Sequence, residues 1–146
     1  MQGLRDLRLR RLISTLGATT LFVGLLGGAG LSQDAWVRLL TDDDNEIWYV
    51  NPNSIQRNGP IRFFWVYRDA SANRPILVER GRNAYGMTAY LSADCRSGAV
   101  RIRAAEFFDE NSTLVTKLAP GDRGPAGNAF RGHPVAQAVA RYVCDR

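Results

Sequence analysis

The side chains that could do chemistry are few. The 146-residue chain holds one histidine, His133, and two cysteines, Cys95 and Cys144. A Ser-His-acid or Cys-His mechanism would have to run through His133. That residue lies beside Pro134, at a predicted helix start, with no partner motif around it, so it reads as a solvated cap residue. A structural zinc needs about four ligands, which one histidine and two cysteines do not supply. Asp42-Asp43-Asp44-Asn45-Glu46 has the charge of a calcium loop but lacks its Gly and distal Glu. It reads as a charged hairpin turn. Glu106 and Asp109 could exchange protons only if a pocket held them, and their surroundings in the sequence supply none. Gly121 to Gly127 lacks the Gly-Lys-Ser/Thr of a phosphate loop. The expectation is no catalytic residue, no metal site and no cofactor.

Arginines interleaved with aromatics offer binding chemistry instead. From Ile61 to Arg68 the residues alternate with a strand period. This predicts a core face of Ile61, Phe63, Trp65 and Tyr67, and a half-exposed face of Arg62, Phe64, Val66 and Arg68. Arg101 and Arg103 are expected outward on a second strand. Arg62, Phe64, Arg68, Arg101 and Arg103 are therefore the candidate partner-binding patch. It suits a protein or glycan of the envelope or extracellular space. The competing reading packs Phe64 under a C-terminal helix and leaves the arginines as a solvated face.

The elements that would carry these residues are mostly strands. Ala35–Leu40 and Glu46–Val50 flank a polar turn and read as a hairpin. Ile61–Arg68 follows Asn58-Gly59-Pro60. Ile76–Val78 is a short apolar run, and Asn83–Cys95 sets Tyr85, Met87, Ala89, Leu91, Ala93 and Cys95 on one face. Val100, Ile102, Ala104 and Phe108 mark the next strand, and Thr113–Leu118 another. Ala119 to Gly132 reads as a Gly/Pro-rich loop. Pro134 then suits a first helical turn, and Val135, Ala138, Val139, Tyr142 and Val143 recur at helical spacing. The predicted class is α+β: an antiparallel sheet or open barrel with one C-terminal helix.

Compartment follows from the N-terminus. Met1–Arg11 is basic, Leu12–Leu26 apolar, and Gly27-Gly28-Ala29-Gly30 small, the pattern of a secretory signal. Residues 1–30 are thus expected to be a signal peptide and 31–146 one β-rich domain; an uncleaved membrane anchor is the alternative. The net charge of +5 is mostly this segment, whose four arginines against one aspartate leave about +2 for the remainder. Nucleic acid is not an expected partner. Outside the cytoplasm, Cys95 and Cys144 are expected to bridge; two buried free thiols remain the alternative. The loop closed would span about fifty residues and contribute about 4 kcal/mol.

The residues also resemble the surface-adhesin protein E family. The likeness runs from Trp36 through Tyr49-Val50-Asn51-Pro52-Asn53-Ser54-Ile55, Phe64-Trp65, Asp94-Cys95 and the Arg101–Asp109 stretch to Val143-Cys144. Asn51 stands where the family pattern has Asp, and Phe130 where it tends to have Trp. The resemblance implies a bridged β-rich domain with a terminal helix, in the periplasm, at the surface or secreted. It further implies a non-catalytic binding or adhesion role. The alternative is an accessory envelope protein whose partner belongs to the same cell.

Overall fold

The computed structural model describes residues 36–146. The expected signal segment, 1–30, lies outside them. Ten strands are described: β1 (Val37–Thr41), β2 (Ile47–Val50), β3 (Gln56–Asn58), β4 (Ile61–Asp69), β5 (Leu77–Glu79), β6 (Arg82–Ala84), β7 (Gly86–Asp94), β8 (Ala99–Phe108), β9 (Leu114–Leu118) and β10 (Ala126–Asn128). One α-helix, α1 (Pro134–Cys144), closes the described chain. Eight strands form an antiparallel sheet ordered β1-β2-β4-β7-β8-β10, with β3 beside β4 and β9 beside β8; β5 and β6 make a separate hairpin. Among the described residues no pairing joins β1 to the far edge, so the sheet stays open rather than closing into a barrel.

Local chemistry sets the punctuation. Asp42 organises the first hairpin: its Oδ1 accepts from the Asp44 and Glu46 amides and its Oδ2 from Trp48 Nε1. The acidic run is thus a turn whose carboxylate serves the backbone, as Asp side chains do. Asp109 does the same in the β8–β9 turn, accepting from Asn111 and Thr113 amides and pairing with Arg82 at 3.1 Å. Helix α1 starts with Pro134, and His133 Nδ1 accepts from the Ala136 amide at 3.2 Å. The predicted 119–132 loop contains strand β10, which adds to β8 through Ala126–Arg101, Gly127–Val100 and Asn128–Ala99. Three residues without alternation carry no strand signal of their own.

The core lies between the sheet and the helix. Phe64, Val66, Ala89, Leu91, Val139 and Val143 belong to one buried cluster. Met87, Ala89, Leu91 and Ala93 share a face, as the alternation predicts, and Cys95 continues toward α1. There Cys95 and Cys144 form a disulfide, their Cα atoms 5.6 Å apart. The bridge ties the last residue of α1 to the end of β7.

The expected faces of β4 are exchanged. Phe64 and Val66 are 0% exposed, whereas Trp65 is 36% exposed. Register supplies the reason: Phe64 pairs with Leu91 and Val66 with Ala89, and directly paired residues point to the same side. The residues of β7 that face α1 therefore draw the Phe64 side of β4 inward. The aromatic side, Phe63, Trp65 and Tyr67, is left on the surface without a helix.

Candidate binding face

On the helix-free surface of the sheet, side chains of four neighbouring strands converge. Trp65 of β4 pairs in register with Tyr90 of β7, and Tyr67 pairs with Tyr49 of β2. The Trp65 and Tyr90 rings lie 5.2 Å apart, and Phe63 stacks on Tyr90 at 6.1 Å with an interplanar angle of 22°. A second group follows along the same face: Tyr49 lies 5.9 Å from Tyr67, and Trp36 lies 6.2 Å from it. These are the offset and tilted contacts that aromatic quadrupoles favour. Trp36 and Trp65 remain 39% and 36% exposed.

Backbone details present these rings. The Asn51–Ser54 turn occupies the gap between β2 and β3 on the edge of β4. Asn51 N–H donates to the Trp65 carbonyl at 3.0 Å, and Ser54 Oγ accepts from the Trp65 amide at 2.9 Å. The Ser54 hydroxyl in turn donates to the Asn51 carbonyl. Trp65 thus has its main chain satisfied on that side by a turn rather than a ladder strand. Gly86 makes room for Tyr67: a Cβ there would sit 3.1 Å from the Tyr67 hydroxyl oxygen. Burial first, then Asp69 and Tyr49, push the Tyr67 hydroxyl above the usual tyrosine range. It therefore stays a neutral donor near pH 7.

A bulge brings a cation onto the same face. Tyr90 pairs with Ala104 but Leu91 with Ile102, so Arg103 is the extra residue on β8. Its guanidinium lies 5.1 Å from the Phe63 ring centroid, a cation–π contact, and donates to Asp122 at 2.6 Å. The bulge resets the alternation, so Ala105 and Phe107 are buried where a strict period from Val100 would bury Ala104. Arg101 lies opposite Ser92, on the face of Phe63, and donates to the Gly124 carbonyl at 2.6 Å. Gly124 is required there, because a Cβ would fall 1.7 Å from the Ile102 carbonyl oxygen.

The five residues expected to form one patch are divided between two faces. Arg101 and Arg103 lie on the aromatic side. Arg62 and Arg68 pair with Ala93 and Met87, on the helix side. Arg68 is bound to the buried Glu46 and covers the Trp48 ring at 5.3 Å; Arg62 donates to the Gly59 carbonyl at 2.9 Å. Phe64 is a core residue, not a contact residue. Phe63, Trp65 and Tyr67, expected in the core, line this face instead, and Tyr90, Tyr49 and Trp36, for which the sequence suggested no site role, join them. One signal was present: if Cys95 must reach Cys144, the Met87–Ala93 face is the helix side, and whatever pairs with it is buried too.

Among the described residues, no group of three or more His, Cys, Asp or Glu could hold a metal ion. His133 Nδ1 is occupied as a helix cap.

Comparisons place this architecture. The family model described as surface-adhesin protein E matches residues 36–145. Among solved structures, protein E of Haemophilus influenzae in its crystal form II is similar at 16% identity, covering 75% of this chain and 87% of that one, with a TM-score of 0.53. A selenomethionine form of the same Haemophilus influenzae protein gives 17% identity, 76% and 86% coverage, and a TM-score of 0.53. At such identity the likeness concerns the fold. No curated protein matches the chain in sequence.

Proposed function

The chain belongs to the surface-adhesin protein E family, and from that membership we propose that it is a non-catalytic binding module whose contact surface is the helix-free face of its sheet. Its place is outside the cytoplasm: in the periplasm, at the cell surface or secreted. The Cys95–Cys144 bridge suits that setting. The observation that carries the reading is the run of Phe63, Tyr90 and Trp65, with Arg103 over Phe63. Trp, Tyr and Arg are the residue types that dominate interface energetics. Trp and Tyr supply large contact area with little entropy to lose, and a contiguous aromatic surface with a basic edge marks an interaction site more often than a stability device.

The ligand is an extracellular or envelope macromolecule, protein or glycan. The test is binding of the exported, oxidised protein to immobilised matrix proteins and envelope glycans, in parallel with Trp65→Ala. A hot-spot aromatic contributes about 2 kcal/mol or more, so saturable binding weakened at least tenfold in Trp65→Ala is the expected result. Absence of saturable binding, or equal affinity in the variant, would overturn the proposal.

A further inference from the structure

The opposite side of the sheet holds a second feature. Near its N-terminal end, α1 does not fill the space above β2, β7 and β8. An apolar pocket of about 190 Å³ remains, lined by Trp48, Leu91, Ile102, Val135 and Val139, with His133 at its edge. Native interiors are close-packed, and an apolar void of about 150 Å³ is enough to admit benzene. This pocket is neither sealed nor polar. Trp48, Ile102 and Val135 are partly exposed, so it opens to solvent.

The pocket does not end in apolar surface. It adjoins a second, more open depression, and the two share Ala126, Gly127 and His133. That depression is lined by Arg131, which is exposed and makes no ion pair among the described residues. Because His133 Nδ1 accepts from Ala136, the neutral ring carries its proton on Nε2, as a donor. A greasy slot therefore leads to a cation and a donor, while Arg68, which lies over the Trp48 ring, is already bound to Glu46.

We propose that the cleft between α1 and the sheet binds a free fatty acid, its alkyl chain in the Trp48–Ile102–Val135 pocket and its carboxylate at Arg131 and His133. The pocket volume accommodates on the order of six to eight carbons. This site lies across the sheet from the aromatic face and stands independently of the role proposed for that face.

Isothermal titration of the exported, oxidised protein with hexanoate, octanoate, decanoate and octan-1-ol, all below micelle formation, tests it. Each added methylene should tighten binding about fourfold up to roughly eight carbons, where the gain should level off as the pocket fills. Val135→Phe and Ile102→Phe, two independent ways of filling the slot, should weaken octanoate at least tenfold while near-UV dichroism stays native. Arg131→Ala should weaken octanoate severalfold and leave octan-1-ol unchanged. No saturable heat, tightening without a plateau, or unaltered octanoate affinity in a folded pocket-filled variant would overturn the proposal. Equal loss of octanoate and octan-1-ol in Arg131→Ala would refute the carboxylate assignment.

Discussion

Two adjacent residues of β4 should respond very differently to truncation. Phe64 is 0% exposed and pairs with Leu91 within the cluster that includes Val139 and Val143. Phe64→Ala removes that packing and leaves a cavity, at a cost of about 3–5 kcal/mol. Trp65 is 36% exposed, and its described ring contact is Tyr90 at 5.2 Å. Losing that contact costs about 0.5–1.5 kcal/mol, and partial burial brings the total to about 1–2 kcal/mol. With a urea m-value of about 1.5 kcal/mol per M, Phe64→Ala should lower the unfolding midpoint by about 2–3 M. Trp65→Ala should lower it by about 1 M. Urea titration followed by far-UV dichroism at pH 7, with the disulfide intact, measures both. Equal costs, or a larger cost for Trp65, would mean that the faces of β4 are assigned the wrong way round and that the aromatic surface is core.

Other consequences are as definite. Replacing Cys95 and Cys144 together by Ala should cost about 4 kcal/mol for a closed loop whose ends are 49 residues apart. Amide exchange in α1 should accelerate most, and a loss under 1 kcal/mol would show that packing alone holds the helix. For Asp42, burial opposes ionisation, but hydrogen bonds from Trp48 and the Glu46 and Asp44 amides hold its carboxyl below the usual range of 3.8. The unfolded chain therefore takes up the proton first as pH falls, so this stabilisation is present above about pH 4 and lost below it. Midpoints measured at pH 7 and pH 2.5 should differ less in Asp42→Asn than in the parent; an identical difference would refute the linkage. Gly124→Ala should cost about 2–3 kcal/mol, because the Ile102 carbonyl oxygen would lie 1.7 Å from the new Cβ. An unchanged midpoint would show that the 121–124 turn can move away from β8.

What the sequence made legible was what depends on neighbours along the chain. The first hairpin, the α1 start at Pro134 and the Val139–Val143 stripe follow from turn chemistry and periodicity. The bridge follows from compartment and from there being two cysteines. Alternation also grouped Met87, Ala89, Leu91 and Ala93 correctly. It could not say which side of β4 the helix covers, because period two is symmetric between faces until a partner strand fixes register. Arginines at 62 and 68 suggested an outer face, yet both lie at strand ends, where a long side chain can reach a carbonyl or a carboxylate while its neighbours are buried. The bulge at Arg103 was equally hidden, since an inserted residue leaves no mark in composition. The proposed binding face is made of these two unreadable features together: register turned the aromatics outward, and a bulge set the cation over Phe63.

The aromatic face is proposed as the surface that meets a partner. A photocrosslinking phenylalanine analogue placed at position 65, and separately at position 141 on the exposed side of α1, compares the two surfaces in the living cell. Position 65 should yield a discrete crosslinked species that position 141 does not. A species formed at 141 and absent at 65, or no crosslink at either, would contradict the assignment.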